Sequence, residues 1–138
     1  MKKLEKKMQH REFVQNAITR MNTNSFQIKG LAITIVSAFL AIYAAEKKPL
    51  FIIIPVPFII IFWFLDTYYL QQERKLRGIY NDICGLSSSP ITTKIYQINP
   101  NLYCGEKYNF WNVMFSQTIW PIYLITSIGL TIIYFVVK

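Results

Sequence analysis

The sequence predicts an all-α membrane protein: a cytoplasmic amphipathic helix, then three transmembrane helices, the second of which extends into the cytoplasm. Three observations predict it. The 138-residue chain is 53% hydrophobic with a mean hydropathy of +0.28, too apolar for a small soluble domain. Residues 31–45, 49–65 and 108–137 carry no charge. The basic residues cluster on alternate sides of these runs. The net charge of +8 fits nucleic acid or an anionic membrane surface, and the apolar runs select the membrane, leaving no nucleic-acid partner.

Residues 1–22 read as the amphipathic helix. Leu4, Met8, Val14, Ala17, Ile18 and Met21 recur at spacings of three or four, with a slip around Arg11, and the other face is basic. Such a helix either lies on an anionic leaflet or packs on the extension of helix two. The stretch "NTNS", residues 22–25, is expected to break it, with Asn24 or Ser25 capping the next helix. The first crossing is placed at 26–45, with Lys29 snorkelling outward. The second is placed at 49–66, with Pro55 and Pro57 tolerated as a kink near one end.

Helix two meets no turn signal at Asp66, so a cytoplasmic extension is predicted over 67–83, ended by "CGLSSSP". Glu73 and Arg77 form an i,i+4 pair along it. Residues 84–110 form a cytoplasmic loop in which "ITTKIYQI" alternates well enough for a short strand or β-hairpin arm. The third crossing is placed at 113–137.

Twelve Lys and Arg flank one side of these crossings and three the other. The positive-inside rule then puts the N-terminus in the cytoplasm and the C-terminus outside. Trp63, Tyr68, Tyr69 and Trp111 fall near the inner interface, where amphipathic rings settle.

Enzyme chemistry finds little support. Cys84 and Cys104, with the single His10, make neither a disulfide framework nor a zinc set. His10, in a charged helix, is expected to be solvated. There is no phosphate-cradling glycine loop and no catalytic constellation, so neither metal nor cofactor is expected.

Two intramembrane faces stand out. Gly30, Thr34, Ser37, Ala38, Ala41 and Ala45 give small-xxx-small spacings on one side of the first crossing. Tyr123, Ser127, Thr131 and Tyr134 make a hydroxyl stripe on the third. Each serves packing within one subunit or an oligomer or pore face. Arg74, Lys75 and Arg77, with Tyr69 and Tyr80 nearby, are candidates for binding an anionic ligand or a partner's acidic surface, because guanidinium groups hold phosphate bidentately and tyrosines stack on bases. A plain topology-fixing anchor explains the same charges. Asp66 is a candidate hinge, paired with a base from the first helix such as Arg20.

The segments "FVQNAITRMNTNSFQIKG", "FWFLDTYYLQQERKLRGIYNDI" and "FWNVMFSQTIWP" together resemble a group of small bacterial membrane proteins. Over about residues 10–83 the layout is similar to the SLATT effectors, two-transmembrane modules of nucleotide-signalled conflict systems. This chain departs from them in its third crossing and in having no evident sensor domain. The resemblance implies an antiphage defence effector of the bacterial inner membrane, an oligomer acting in abortive infection that forms a pore or depolarises the membrane. It implies a trigger from a nucleotide signal or a TIR-domain or nucleotide-signalling partner. The alternative is a passive membrane anchor or assembly subunit that recruits a cytoplasmic partner.

Overall fold

The computed structural model describes residues 2–91 and 96–137. The chain is a multi-pass helical membrane protein. Its helices are α1 (Lys2–Glu46), α2 (Leu50–Ile53), α3 (Pro55–Cys84), α4 (Phe110–Met114) and α5 (Trp120–Val137). Three stretches are long and apolar enough to cross a membrane: Leu4–Glu46 within α1, Leu50–Cys84 across α2 and α3, and Trp120–Val137.

α1 does not break at "NTNS". It runs unbroken for 45 residues, about 68 Å at about 1.5 Å per residue. The cap-forming residues are overruled by a continuous contact face. His10, Val14, Ile18, Ser25, Ile28, Ala32 and Val36 are all buried, at spacings of three, four or seven, along one side of the helix. Lys47, at φ 57, closes the turn into α2 by donating its N–H to Tyr43 O at 2.8 Å.

Pro55 opens α3, and Pro57 falls within its first turn, where an N–H has no intrahelical acceptor in any case. The helix then continues through Asp66 without interruption to Cys84. Gly85 ends it at φ 72, its N–H reaching Asn81 and Asp82 carbonyls, while Leu86 N–H returns to Asn81 O at 2.9 Å. That left-handed cap is glycine's ordinary use.

α1 and α3 lie against each other along two apolar cores. In the membrane half, Ala32, Val36, Ile52, Ile59, Val113, Ile119, Tyr123 and Leu130 are buried together. In the polar half, here called the stalk, Val14, Ile18, Leu76, Ile79 and Tyr103 form the second core, with Ala17, Met21 and Tyr80 at its edge. The amphipathic face of the N-terminal segment thus packs on the extension of α3. Leu4 and Met8, at its start, stay exposed.

The crossing helix α5 begins at Trp120, later than the expected residue 113. Pro121 has no N–H to carry a helix through from α4, so the chain turns at 115–119, with Ile119 N–H donating to Ser116 O at 2.9 Å.

The expected β-hairpin is not formed: among the described residues there is no strand. Residues 92–95 of the proposed arm lie outside the described residues. Tyr96 beside them sits in a turn at φ 67, and its N–H goes to His10 Nδ1 at 3.3 Å rather than to a strand partner. The rest of the loop folds into 3₁₀ turns at Pro100–Leu102 and Glu106–Tyr108. Tyr103 and Tyr108 then dock on Gly78, where a Cβ would stand 2.6 Å from Tyr103 Cδ1 and 2.7 Å from the Tyr108 hydroxyl.

Candidate functional site: a buried ion pair where the stalk meets the membrane bundle

Asp66 lies on the contact face of α3 and is fully buried. Its depth is near the end of the apolar run, yet neighbouring helices seal it from both water and lipid. Lys29 Nζ reaches Oδ2 at 2.7 Å and Oδ1 at 2.8 Å. Ser25, one turn before Lys29 on α1, donates its hydroxyl to Oδ1 and accepts from Lys29 Nζ at 2.8 Å. Tyr123, in the first turn of α5, donates its hydroxyl to Oδ2 at 3.1 Å.

One carboxylate therefore gathers all three crossing helices. An isolated buried charge costs several kcal/mol, and only a paired, fully hydrogen-bonded one is tolerable. Both oxygens of Asp66 are satisfied, and Lys29 contributes the opposite charge.

The ring of Tyr123 is held by aromatic packing. It stacks on Trp63 at 6.2 Å between centroids and 14° between planes, while Phe115 meets Trp63 edge-on at 5.9 Å. Trp63 Nε1 donates to Met114 O at 3.2 Å, fixing the end of α4 to α3. Thr67, also fully buried, returns its hydroxyl to Trp63 O at 2.7 Å and so presents no free polar group.

The pairing differs from the sequence expectation. The base on Asp66 is Lys29, not Arg20, which is exposed nearer the start of α1. Nor does Lys29 snorkel outward, for its side chain is only 16% exposed. The carboxylate draws it inward. Ser25, an expected helix cap, donates its hydroxyl to Asp66 instead.

Below this layer the two intramembrane stripes part ways. Gly30, Thr34, Ser37, Ala38, Ala41 and Ala45 all face outward, roughly 150° around α1 from the buried Ala32 and Val36. The subunit's own bundle leaves them uncovered. On α5, Tyr123 is buried, Ser127 and Tyr134 are half-buried, and Thr131 is exposed. Ser127 and Thr131 return their hydroxyls to carbonyls four residues back, at 2.8 Å each.

In the stalk, Arg74, Arg77 and Tyr80 line one cleft of ≈ 250 Å³ between α1 and α3, with Gln15, Ile18, Asn81 and Lys107. Lys75 instead lines a neighbouring hollow with Gln71 and Tyr108, and Tyr69 lies edge-on to Tyr68 at 5.7 Å. Lys107, which sequence patterning did not single out, enters the cleft because Gln71 Nε2 holds Tyr108 O at 2.8 Å.

Two further titratable groups shape the stalk. His10 is buried rather than solvated, edge-on to Tyr96 at 5.7 Å, and burial lowers its pKa from the usual 6.5. Burial alone would raise the Asp82 carboxyl, but hydrogen bonds from Tyr103, Ser87 and Ile91 N–H outweigh it and hold the group below its usual value. Cys84 and Cys104 are free thiols.

No family model matches the chain, and neither a curated protein nor a solved structure matches it. The chain is a small, all-helical, multi-pass membrane protein.

Proposed function

We propose that this chain is an effector of the bacterial inner membrane in antiphage defence. Its N-terminus and stalk are cytoplasmic and its C-terminus faces outward. Copies associate in the bilayer, and a signal at the stalk, from a nucleotide or a partner protein, loosens the Asp66 layer and lets the membrane depolarise. The observation that carries this reading is the buried Lys29–Asp66 pair. A charged layer at the point where stalk and bundle join is a poor choice for stability alone, since apolar residues of similar volume serve as well or better. It suits an element with two arrangements, because it resists partial opening and fails as a unit.

The outward Gly30–Ala45 face supports association, as small residues let helix backbones approach closely in lipid. A passive anchor draws support from the same network, because its complete hydrogen bonding also describes a static bolt that fixes the register of α1 on α3.

Membrane potential separates the two. The parent and Asp66→Asn are expressed at matched, insertion-checked levels, and a potential-sensitive dye is followed. The effector reading expects Asp66→Asn to depolarise cells without a trigger while the parent does not. If the inserted variant leaves the potential intact, the passive-anchor reading replaces it.

A further inference from the structure

We infer that the stalk cleft between α1 and α3 is a binding site for a soluble phosphate-bearing small molecule. Its walls are Gln15 and Ile18 of α1, Arg74, Arg77 and Tyr80 of α3, and Lys107 of the loop. The carboxylate paired in this group is Glu73, buried and bound to Arg77 Nε at 2.7 Å. That bond aims the guanidinium and uses only Nε. Among the described residues, the terminal nitrogens of Arg77 hold no partner. Arg74 spends one nitrogen on a long 3.5 Å contact with Lys107 O.

Two guanidinium groups thus line one concavity with most of their donors unspent, and Lys107, whose ammonium lies 6.0 Å over the Tyr108 ring, completes its wall. Guanidinium groups match phosphate oxygens bidentately, and a positioned lysine adds a point charge. Ile18 and the ring of Tyr80 offer an apolar wall to the body of the ligand. The enclosure between two helices and a loop suits a small molecule better than a flat protein surface.

Two sources of phosphate meet this chemistry, a lipid headgroup and a soluble ligand. Position selects the second. From Asp66, Arg74 lies about 12 Å and Tyr80 about 21 Å further along α3. The headgroup layer is only about 5–8 Å deep on each side of the hydrocarbon. The cleft therefore opens beyond it. This deepens the effector reading by naming its trigger class, and rests on that reading only for what occupancy does.

The test uses the full chain in nanodiscs of zwitterionic lipid, titrated with pyrophosphate by calorimetry at low salt. Saturable binding is expected, weakened at least tenfold by Arg74→Gln and by Lys107→Gln, and partly restored by Arg74→Lys. Circular dichroism confirms that each variant is folded. Arg77 is left alone because it partners the buried Glu73. A parallel arm replaces part of the lipid with phosphatidylglycerol. Absence of saturable binding, or binding unchanged in both glutamine variants, overturns the inference. Loss of pyrophosphate binding only when phosphatidylglycerol is present assigns the cleft to headgroups and overturns it too. Binding is read without membrane potential, so its failure leaves the effector reading to stand or fall on depolarisation.

Discussion

Lys29 Nζ stands 2.7 Å from Asp66 Oδ2, joining the first long helix to the second at the level where apolar sequence gives way to polar. From that level Lys29 to Glu46 covers about 26 Å of α1, close to the thickness of a bilayer's hydrocarbon core. The pair marks the boundary between the intramembrane bundle and the stalk.

Tyr123 contributes to this layer through its hydroxyl and its ring. Tyr123→Phe removes the bond to Asp66 and keeps the Trp63 stack, at an expected cost of about 1–2 kcal/mol. Tyr123→Ala removes both and is expected to cost about 3–5 kcal/mol. Unfolding in mixed micelles measures each. Equal costs for the two variants would show that the ring contributes nothing, and a cost near zero for Tyr123→Phe would show that the hydroxyl contributes nothing.

Gly78 offers a test in which two effects oppose. Helix propensity alone makes Gly78→Ala stabilising by about 1 kcal/mol. The added Cβ would meet Tyr103 Cδ1 at 2.6 Å, so overpacking of about 1–3 kcal/mol is expected to win. Hydrogen exchange should then rise in the 100–108 segment, while the intramembrane half of α3 stays protected. Stabilisation would mean that the tyrosines do not dock there.

His10 gives the stalk a pH response. Its folded pKa lies below 6.5, so the folded state resists the proton that the undocked state accepts. The contribution of His10 is full above pH 6.5, declines as pH falls through that value, and is lost by the lower folded pKa. Protonation also removes Nδ1 as the acceptor for Tyr96 N–H. Limited proteolysis around Tyr96 should accelerate as pH falls below about 6.5. His10→Phe should flatten that dependence.

Ala41 is exposed on the isolated subunit. Ala41→Leu is therefore expected to leave subunit stability within about 0.5 kcal/mol. If copies associate through this face, cross-linked species in membranes should fall several-fold. Unchanged cross-linking would remove the face from the account.

Much of the fold was legible because bilayer-length apolar runs admit few alternatives. The stalk core was half legible. Val14, Ile18 and Met21 announce a contact face, but nothing local tells an anionic leaflet from α3 as its partner. The expected break at "NTNS" does not occur because cap formers act locally, whereas the spacing Ile18, Met21, Ser25, Ile28, Ala32 carries the contact face through them. Asp66 was visible as an anomaly; its base was not. Choosing Lys29 over Arg20 requires the register of α1 on α3, which the hairpin turn and both cores set together. The stalk cleft likewise needs a tertiary contact, since Lys107 is thirty residues beyond Arg77 in the chain.

Lys29 and Asp66 act as one buried pair, and a double-mutant cycle on unfolding in mixed micelles reads their coupling. Lys29→Met or Asp66→Asn alone leaves a buried polar partner unmatched and should cost about 3–5 kcal/mol. Together they should cost clearly less than the sum, with a coupling of about 2 kcal/mol or more. Single costs below about 1 kcal/mol that simply add would show that the two residues do not interact, and would contradict the account.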